Sequence, residues 1–100
     1  MDLLNKHKTD IINLCVKHKV KELYAFGSVL TEEFNKKSDV DFVVEFNRLD
    51  PALYADNYYE LKFSLQDILR HPVDLLEQQA LKNPYFKQNI QTKRQLIYGS

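Results

Sequence analysis

The spacing of apolar and polar positions along the chain predicts where its helices and strands lie. Residues 2–18 place apolar side chains on one stripe of a helix and keep most lysines off it, the stripe being Leu4, Ile11, Leu14 and Cys15. Val20–Phe26 is rich in apolar and aromatic residues, which is typical of a strand. A second strand is predicted from about Asp39 to Phe46. The first half of the chain is therefore predicted to contain both helix and strand.

The region between these two strands is predicted to be a turn, a short helix and a loop. Gly27 suits a turn that a side chain would obstruct. Ser28 is expected to cap a short helix that reaches about Phe34. The polar residues 35–38 then form a loop.

The middle of the chain is predicted to be a long helix followed by a strand. Pro51 suits the first turn of a helix. The apolar positions after it recur at helical spacing, as Tyr54, Tyr58, Leu61, Leu65 and Ile68. His71-Pro72 ends the helix, because a residue before proline avoids the helical region. Val73–Leu76 reads as a short third strand.

The last part of the chain is predicted to be helical. Residues 77–82 suit a single helical turn, and Asn83-Pro84 suits the start of a helix that ends near Gly99. This order of elements predicts a small α/β (α+β) domain, with helices packed on a three- or four-stranded sheet. The pattern alone leaves the topology of the sheet open.

Asp39 and Asp41 are candidate metal ligands. Side chains two residues apart in a strand project from the same face, so two carboxylates stand side by side here. Two adjacent anions repel, and a divalent cation between them removes that penalty. Hard oxygen ligands suit magnesium, which completes its shell with water and substrate phosphates. The alternative is that these residues only begin a strand. The three histidines, His7, His18 and His71, lack metal-ligand spacing and are predicted at surface or loop positions.

Composition bounds the size of the protein and its class of partner. The 100 residues are enough for one domain, residues 1–100, with a single core. Apolar content of 44% and charged content of 28% are ordinary for a globular protein in water. The 14 basic and 14 acidic side chains give a formal net charge of zero. That balance gives no electrostatic reason to expect binding to long nucleic acid.

The chain carries no sign of secretion or membrane insertion. The single cysteine, Cys15, excludes an internal disulfide and fits a reducing compartment. No apolar segment is long enough to span a bilayer, and Met1-Asp2-Leu3 does not begin a signal peptide. A cytoplasmic protein without a membrane partner is expected.

Gly27-Ser28, ten intervening residues and then Asp39-Val40-Asp41 resemble the signature of the DNA polymerase beta-like nucleotidyltransferase superfamily. The small size resembles its minimal nucleotidyltransferase (MNT) branch. In that family a third carboxylate lies on a later strand, and Asp74 in Val73-Asp74-Leu75 takes that place here. The resemblance implies a palm-like mixed sheet with four to five helices, in which Asp74 lies next to the other two aspartates.

The resemblance also implies a role for each motif. Asp39, Asp41 and Asp74 are the expected catalytic residues and ligands of Mg²⁺, with Mn²⁺ as a possible substitute. The other expected nucleotide-binding residues are Gly27, Ser28 and Lys37. One departure concerns the arginines and glycine that many members carry after Gly-Ser. This chain has Val29-Leu30-Thr31-Glu32 there, and Lys36 and Lys37 are the nearest compensating charges.

The function implied by the resemblance is transfer of AMP from a nucleoside triphosphate, ATP, to a hydroxyl of a protein partner. Such MNT proteins are commonly paired with a helical HEPN-domain protein, so the implied role is that of the antitoxin in a toxin–antitoxin system. One alternative is an antitoxin or adaptor of the same fold that acts by protein–protein contact with little or no catalysis. Another is a small α/β domain with an unrelated metal-binding role.

Overall fold

A computed structural model describes residues 2–80 and 93–99 of the chain. Its helices and strands, in chain order, are α1 (Asp2–Lys6), α2 (Lys8–Lys17), β1 (Val20–Phe26), β2 (Val40–Phe46), α3 (Pro51–Leu69), β3 (Val73–Glu77) and β4 (Gln95–Tyr98). Single 3₁₀ turns follow two of the strands, at Gly27–Leu30 and Gln78–Ala80. The described residues thus hold three α-helices, fewer than the four to five expected for the whole chain.

The four strands form one mixed sheet in the order β3-β2-β1-β4. β1 pairs in antiparallel fashion with both β2 and β4, whereas β2 and β3 are parallel. A parallel pair needs a crossover connection, and α3 supplies it. The predicted α/β class is therefore confirmed, and the mixed sheet has four strands where three to four were expected.

One face of the sheet packs against the helices. Alternate residues of β1 and β2 point to this face, and Leu23, Ala25 and Phe42 have no exposed surface. The helices bury Ile11, Cys15, Leu61, Leu65 and Leu69 in the same cluster. The other residues of each strand point to the opposite face, which carries Tyr24, Phe26, Asp41 and Asp74. This opposite face is called the aspartate face below.

The long helix α3 begins and ends where the sequence predicts. The side chain of Asp50 accepts a hydrogen bond of 2.9 Å from the backbone N–H of Ala52, and Pro51 occupies the first turn. A cap of this kind stabilises a helix by roughly 1 kcal/mol. Arg70 adopts a left-handed conformation after the last turn. None of the helices in residues 2–80 and 93–99 is both long and apolar enough to cross a bilayer.

The short helix expected after Ser28 is present only as the 3₁₀ helix Gly27–Leu30, so its predicted extent to about Phe34 is wrong. The 3₁₀ turn ends at Leu30, where Thr31 adopts an extended conformation; Val29 is fully buried and Leu30 packs against the core. The carbonyl of Ser28 accepts hydrogen bonds from both the backbone N–H and the hydroxyl of Thr31, each 2.9 Å long. These bonds close the turn, and Ser28 provides no side-chain cap.

Three further predictions need correction. The helix expected to run to Gly99 is wrong at its end, because Gln95–Tyr98 forms β4; residues 83–92 lie outside the described part. His18 is not at the surface but buried, with 3% of its area exposed. Its Nδ1 lies 3.2 Å from the side-chain oxygen of Asn57, whose amide donates to the His18 carbonyl at 2.7 Å. The predicted first helix is interrupted at His7.

Candidate active site

Two of the three predicted catalytic aspartates are direct neighbours across the sheet. Asp41 in β2 pairs with Asp74 in β3, and both are the second residue of their strands. Paired strands lie about 4.8 Å apart, and paired residues point to the same face. Asp41 is half-buried and Asp74 is exposed on the edge strand. The structure therefore brings together the two carboxylates that lie 33 positions apart in the sequence.

The Gly27-Ser28 turn borders the same site. Phe26, the last residue of β1, pairs with Asp41, so the turn begins beside that carboxylate. Gly27 has a positive φ of 76°, and a Cβ placed on it would lie 2.6 Å from Oδ2 of Asp41. Only glycine fits this close approach without displacing the carboxylate.

Asp39 lies in the loop immediately before β2 and is exposed. The residue before it, Ser38, is held by His71, whose Nδ1 lies 2.9 Å from the Ser38 carbonyl. The His71 ring also packs against Phe34 in the same loop, with 4.8 Å between ring centroids. In addition, the backbone N–H of Val40 donates to the Pro72 carbonyl at 2.9 Å. The loop that carries Asp39 is thus fastened to the segment that leads into β3 and Asp74.

The three carboxylates act on one another electrostatically. The pKa of Asp41 is raised from 3.8 to about 6, first by burial and then by the negative charges of Asp74 and Asp39. A carboxylate in such surroundings gains from any cation that binds to it. The repulsion among these carboxylates favours binding of a divalent cation, as expected from the sequence.

The donor chemistry of these residues fits magnesium, since three carboxylates supply hard oxygen ligands. Among residues 2–80 and 93–99, however, no group of three or more histidine, cysteine or acidic side chains is arranged closely enough to hold a metal ion. The carboxylates are near enough to repel one another but do not converge. Asp39 and Asp74 are exposed, so burial does not hold either carboxylate in its present rotamer.

The predicted nucleotide-binding residues differ in their placement. Gly27 and Ser28 border Asp41, whereas Lys37 is an exposed residue of the loop before Asp39. The backbone N–H of Lys37 donates to the side-chain oxygen of Asn35 at 2.9 Å, which shapes the loop and leaves the ammonium in solvent. Val29 and Leu30 occupy positions at which the family resemblance led us to expect arginines. Here Val29 is part of the hydrophobic core and Leu30 packs against it.

The contacts of two residues gave no signal in the sequence. His71 was predicted to be an ordinary loop residue, yet it fastens the loop of Asp39. Arg94 was predicted to lie in a helix, yet its guanidinium lies over the ring of Tyr24 on the aspartate face, 3.7 Å from the ring centroid. Both placements depend on contacts between residues far apart in sequence, so no local motif could reveal them.

Comparison with known proteins agrees with this geometry. The family of nucleotidyltransferase domains matches residues 10–97. A protein of Methanocaldococcus jannaschii named "Putative protein adenylyltransferase" is 40% identical over 97 residues, which cover 97% of this chain and 91% of that protein.

Two solved structures share the fold. One, described as a "putative minimal nucleotidyltransferase", has a TM-score of 0.76 at 27% identity and covers 95% of both chains. The other is a toxin–antitoxin crystal structure with AMP-PNP, with a TM-score of 0.72 at 25% identity over 93% of this chain and 73% of that chain. The family match over most of the chain, together with the shared sheet, leads to one conclusion: this chain belongs to the nucleotidyltransferase domain family and is a nucleotidyltransferase.

Proposed function

We propose that this protein uses Mg²⁺, or Mn²⁺ in its place, to transfer AMP from ATP to a hydroxyl group of a protein partner in the cytoplasm. The partner would be a helical HEPN-domain protein, with this chain as the antitoxin of the pair. One observation carries the proposal. Asp41 and Asp74 are paired across β2 and β3, with Gly27 against Asp41 and Asp39 beside them.

The position of each aspartate suggests a different task. Asp39 and Asp41 would hold magnesium beneath the phosphates of ATP, next to the Gly27-Ser28 turn. Asp74, exposed on the edge strand, would complete the metal site on the acceptor side and take the proton of the attacking hydroxyl. When bound, a pair of divalent ions stabilises both the attacking and the leaving oxygen of an in-line displacement at phosphorus.

The reaction balances with ATP and one hydroxyl group. The acceptor oxygen forms a bond to the α-phosphorus of ATP, while the bond from that phosphorus to the bridging oxygen of the β-phosphate breaks. Pyrophosphate leaves with the bonding electrons, and the hydroxyl proton passes to a carboxylate oxygen of Asp74. Catalysis of this kind depends on positioning and on electrostatic stabilisation more than on covalent chemistry.

The similar proteins support AMP and a protein acceptor. The relative from Methanocaldococcus jannaschii carries the name of a protein adenylyltransferase, and its similarity extends over nearly the whole of this chain. The toxin–antitoxin structure was solved with AMP-PNP, an analogue of ATP. These likenesses favour ATP over other nucleotides and a protein over a nucleic acid as acceptor.

A second function is favoured by the turn after β1. Val29 and Leu30 are committed to the core, so this turn offers no cationic side chain to a triphosphate. A protein with weak or absent catalysis could still neutralise its partner by contact alone. The two functions differ in whether neutralisation of the partner depends on the aspartates.

A labelling experiment separates the two functions. The protein is purified with the protein encoded by the neighbouring reading frame and incubated with Mg²⁺ and ATP labelled at the α-phosphate. We expect label on the partner with the wild type and none with Asp41→Asn. Glu45→Gln, which removes a carboxylate from the same strand and face four residues away, should label normally. Absence of label with the wild type contradicts the enzyme proposal, and full neutralisation by Asp41→Asn supports contact alone.

A further inference from the structure

We propose that the protein that accepts AMP docks on the outer face of α3, where a basic helix of that protein covers Tyr59 and Phe63. This inference rests on the proposed function, because the docked protein is the one that receives AMP. The inner face of α3 buries Leu61, Leu65 and Leu69, so the opposite face points outward. On that outer face Tyr59 is 52% exposed and Phe63 is 57% exposed. These two residues are called the aromatic pair below.

The aromatic pair forms one surface and not two isolated side chains. Tyr59 and Phe63 lie one helical turn apart, and their rings stack with 6.1 Å between centroids. Tyr58 meets the Tyr59 ring edge-on at 5.0 Å, and the Tyr58 hydroxyl donates to the Leu75 carbonyl in β3. These contacts restrict the rings before any partner arrives, which lowers the entropic cost of docking. Large aromatic side chains are also the residues that most often anchor protein interfaces.

The aromatic pair belongs to the helix that lies beside the acceptor side of the site. β3 is an edge strand, and two side chains of α3 reach it. The side-chain oxygen of Gln66 accepts from the Val73 N–H at 3.1 Å, and Tyr58 donates to the Leu75 carbonyl, so these contacts flank Asp74. The pKa of Tyr58 is raised by burial and further by nearby negative charges, that of Asp74 among them. A protein that brings a hydroxyl to Asp74 around this edge therefore meets α3.

The charges beside the aromatic pair identify the chemistry of the docked helix. Asp56, Glu60 and Asp67 are exposed at spacings of four and seven residues, so they form a row along α3. Within residues 2–80 and 93–99, none of the three takes part in an ion pair. Lys62, the only basic residue of α3, is half-buried. A helix with apolar residues at spacings of three and four, flanked by lysine or arginine, complements both the rings and the carboxylates.

The competing interpretation is that the aromatic pair is an ordinary exposed apolar surface, since such residues are common on folded proteins. The double variant Tyr59→Gln with Phe63→Gln removes both rings and keeps residues that favour a helix. Leu96→Gln is the matched control, because it removes an exposed apolar side chain from β4 at the opposite edge of the sheet.

The experiment uses the protein encoded by the neighbouring reading frame as the partner, and measures its binding and its labelling from ATP labelled at the α-phosphate. We expect the double variant to weaken the Kd for the partner by about tenfold or more, as for the loss of interface anchors. The KM for the partner should rise by a similar factor with kcat unchanged, because docking and not chemistry is altered. Leu96→Gln should behave as the wild type. Without partner, the double variant should match the wild type in its Kd for ATP and in its urea midpoint.

Charge reversal tests the basic character of the docked helix. Glu60→Lys should weaken partner binding by about fivefold, and its Kd should depend less on KCl than that of the wild type. Asp10→Lys reverses an exposed carboxylate of α2 and should leave both properties unchanged. Equal or tighter binding by Glu60→Lys would contradict a basic helix at this face.

Other outcomes overturn the inference in distinguishable ways. If the wild type binds and labels the partner and the double variant binds equally well, docking occurs elsewhere and the proposed function stands. If the double variant also loses ATP affinity or urea midpoint, the aromatic pair is structural. If the wild type alone sediments as a dimer that the double variant dissociates, the face serves a second copy of this chain. If the wild type neither binds nor labels the partner, the proposed function fails and this inference fails with it.

Discussion

Gly27 lies so close to Asp41 that the glycine has no room for a side chain. A Cβ at Gly27 would be 2.6 Å from Oδ2 of Asp41, and the φ of 76° is itself unfavourable for other residues. The turn after β1 and the carboxylate in β2 are therefore one structural unit. The turn cannot change without moving a predicted metal ligand.

Gly27→Ala tests this unit. We expect the free energy of unfolding to fall by roughly 1–2 kcal/mol, because a non-glycine residue is strained in this conformation. The displaced Asp41 should also lose most of its response to Mn²⁺, measured as the shift in melting temperature. Gly99→Ala is the control, since its Cβ would meet the Lys21 carbonyl oxygen at 2.6 Å, away from the aspartates. It should destabilise the protein and keep the Mn²⁺ response; loss of that response in both variants would contradict the prediction.

Metal binding should stabilise the protein through the same carboxylates. Mg²⁺ or Mn²⁺ at a hundredfold excess over Kd should add about 2.7 kcal/mol to the free energy of unfolding, and ATP should increase the effect. The double variant Asp39→Asn with Asp41→Asn should not respond. Asp67→Asn removes an exposed carboxylate of α3 and should respond as the wild type. A normal thermal shift in the double variant would place the metal elsewhere.

The raised pKa of Asp41 predicts how stability depends on pH in metal-free protein. The folded state binds this proton more tightly than the unfolded state, with a pKa of about 6 against 3.8. The resulting stabilisation is present below about pH 4 and is lost as the pH rises to about 6. In chelator, Asp41→Asn should therefore exceed the wild type in stability at pH 7.5 by on the order of 1 kcal/mol, allowing for partial solvent screening.

Urea denaturation of both proteins at pH 4 and pH 7.5 measures this difference. The advantage of Asp41→Asn should nearly vanish at pH 4, where both side chains are neutral. Asp67→Asn should show no comparable change between the two pH values. An Asp41→Asn protein that is less stable than the wild type at pH 7.5 would mean that the carboxylate is stabilising and that the raised pKa does not describe it.

Much of this fold follows from local patterns, and the exceptions share one cause. β1, β2 and α3 lie close to their predicted bounds, because alternation, helical spacing and the Asp50-Pro51 start are all local signals. β4 was missed because it exists by pairing with β1, about 70 residues away, and its own four residues resemble the end of a helix. Pairing with the distant strand β1 outweighs the local conformational preference of these four residues.

The candidate site likewise contains residues that local sequence signals reveal and residues that are placed by contacts with distant parts of the chain. The spacing of Gly27, Asp39 and Asp41 was visible in the sequence, and the resemblance added Asp74. The capping role predicted for the Ser28 side chain is absent, because the turn closes through bonds from Thr31 to the Ser28 carbonyl. The loop carrying Asp39 depends on His71, which reaches it from beyond α3.

That dependence makes His71 a positioning residue for Asp39. His71→Ala removes both the bond to the Ser38 carbonyl and the ring contact with Phe34, so the loop should hold Asp39 less firmly. We expect Mn²⁺ affinity to fall about fivefold, corresponding to roughly 1 kcal/mol for one lost hydrogen bond. Calorimetric titration of the partner-free protein measures the affinity directly.

Two variants separate the two contacts of His71. His71→Asn keeps a donor near the position of Nδ1 and should recover much of the Mn²⁺ affinity, whereas His71→Phe keeps only a ring. Equal affinity in the wild type and His71→Ala would mean that the loop is held by the Val40 N–H bond to Pro72 alone.

The last prediction concerns the division of labour between Asp41 and Asp74. Asp74 is exposed on the edge strand β3, with Asp41 between it and the Gly27 turn. Phosphates held at the turn thus lie nearer to Asp41, and an acceptor that approaches the sheet edge meets Asp74. Asp74→Asn should leave the Kd for ATP within about threefold of the wild type, yet lower transfer to the partner by a hundredfold or more, in line with loss of a general base. Asp41→Asn should lose both ATP binding and transfer to the partner. Titration with ATP and the α-phosphate label measure the two properties separately, and a loss of ATP binding in Asp74→Asn as severe as in Asp41→Asn would mean that both carboxylates serve the nucleotide.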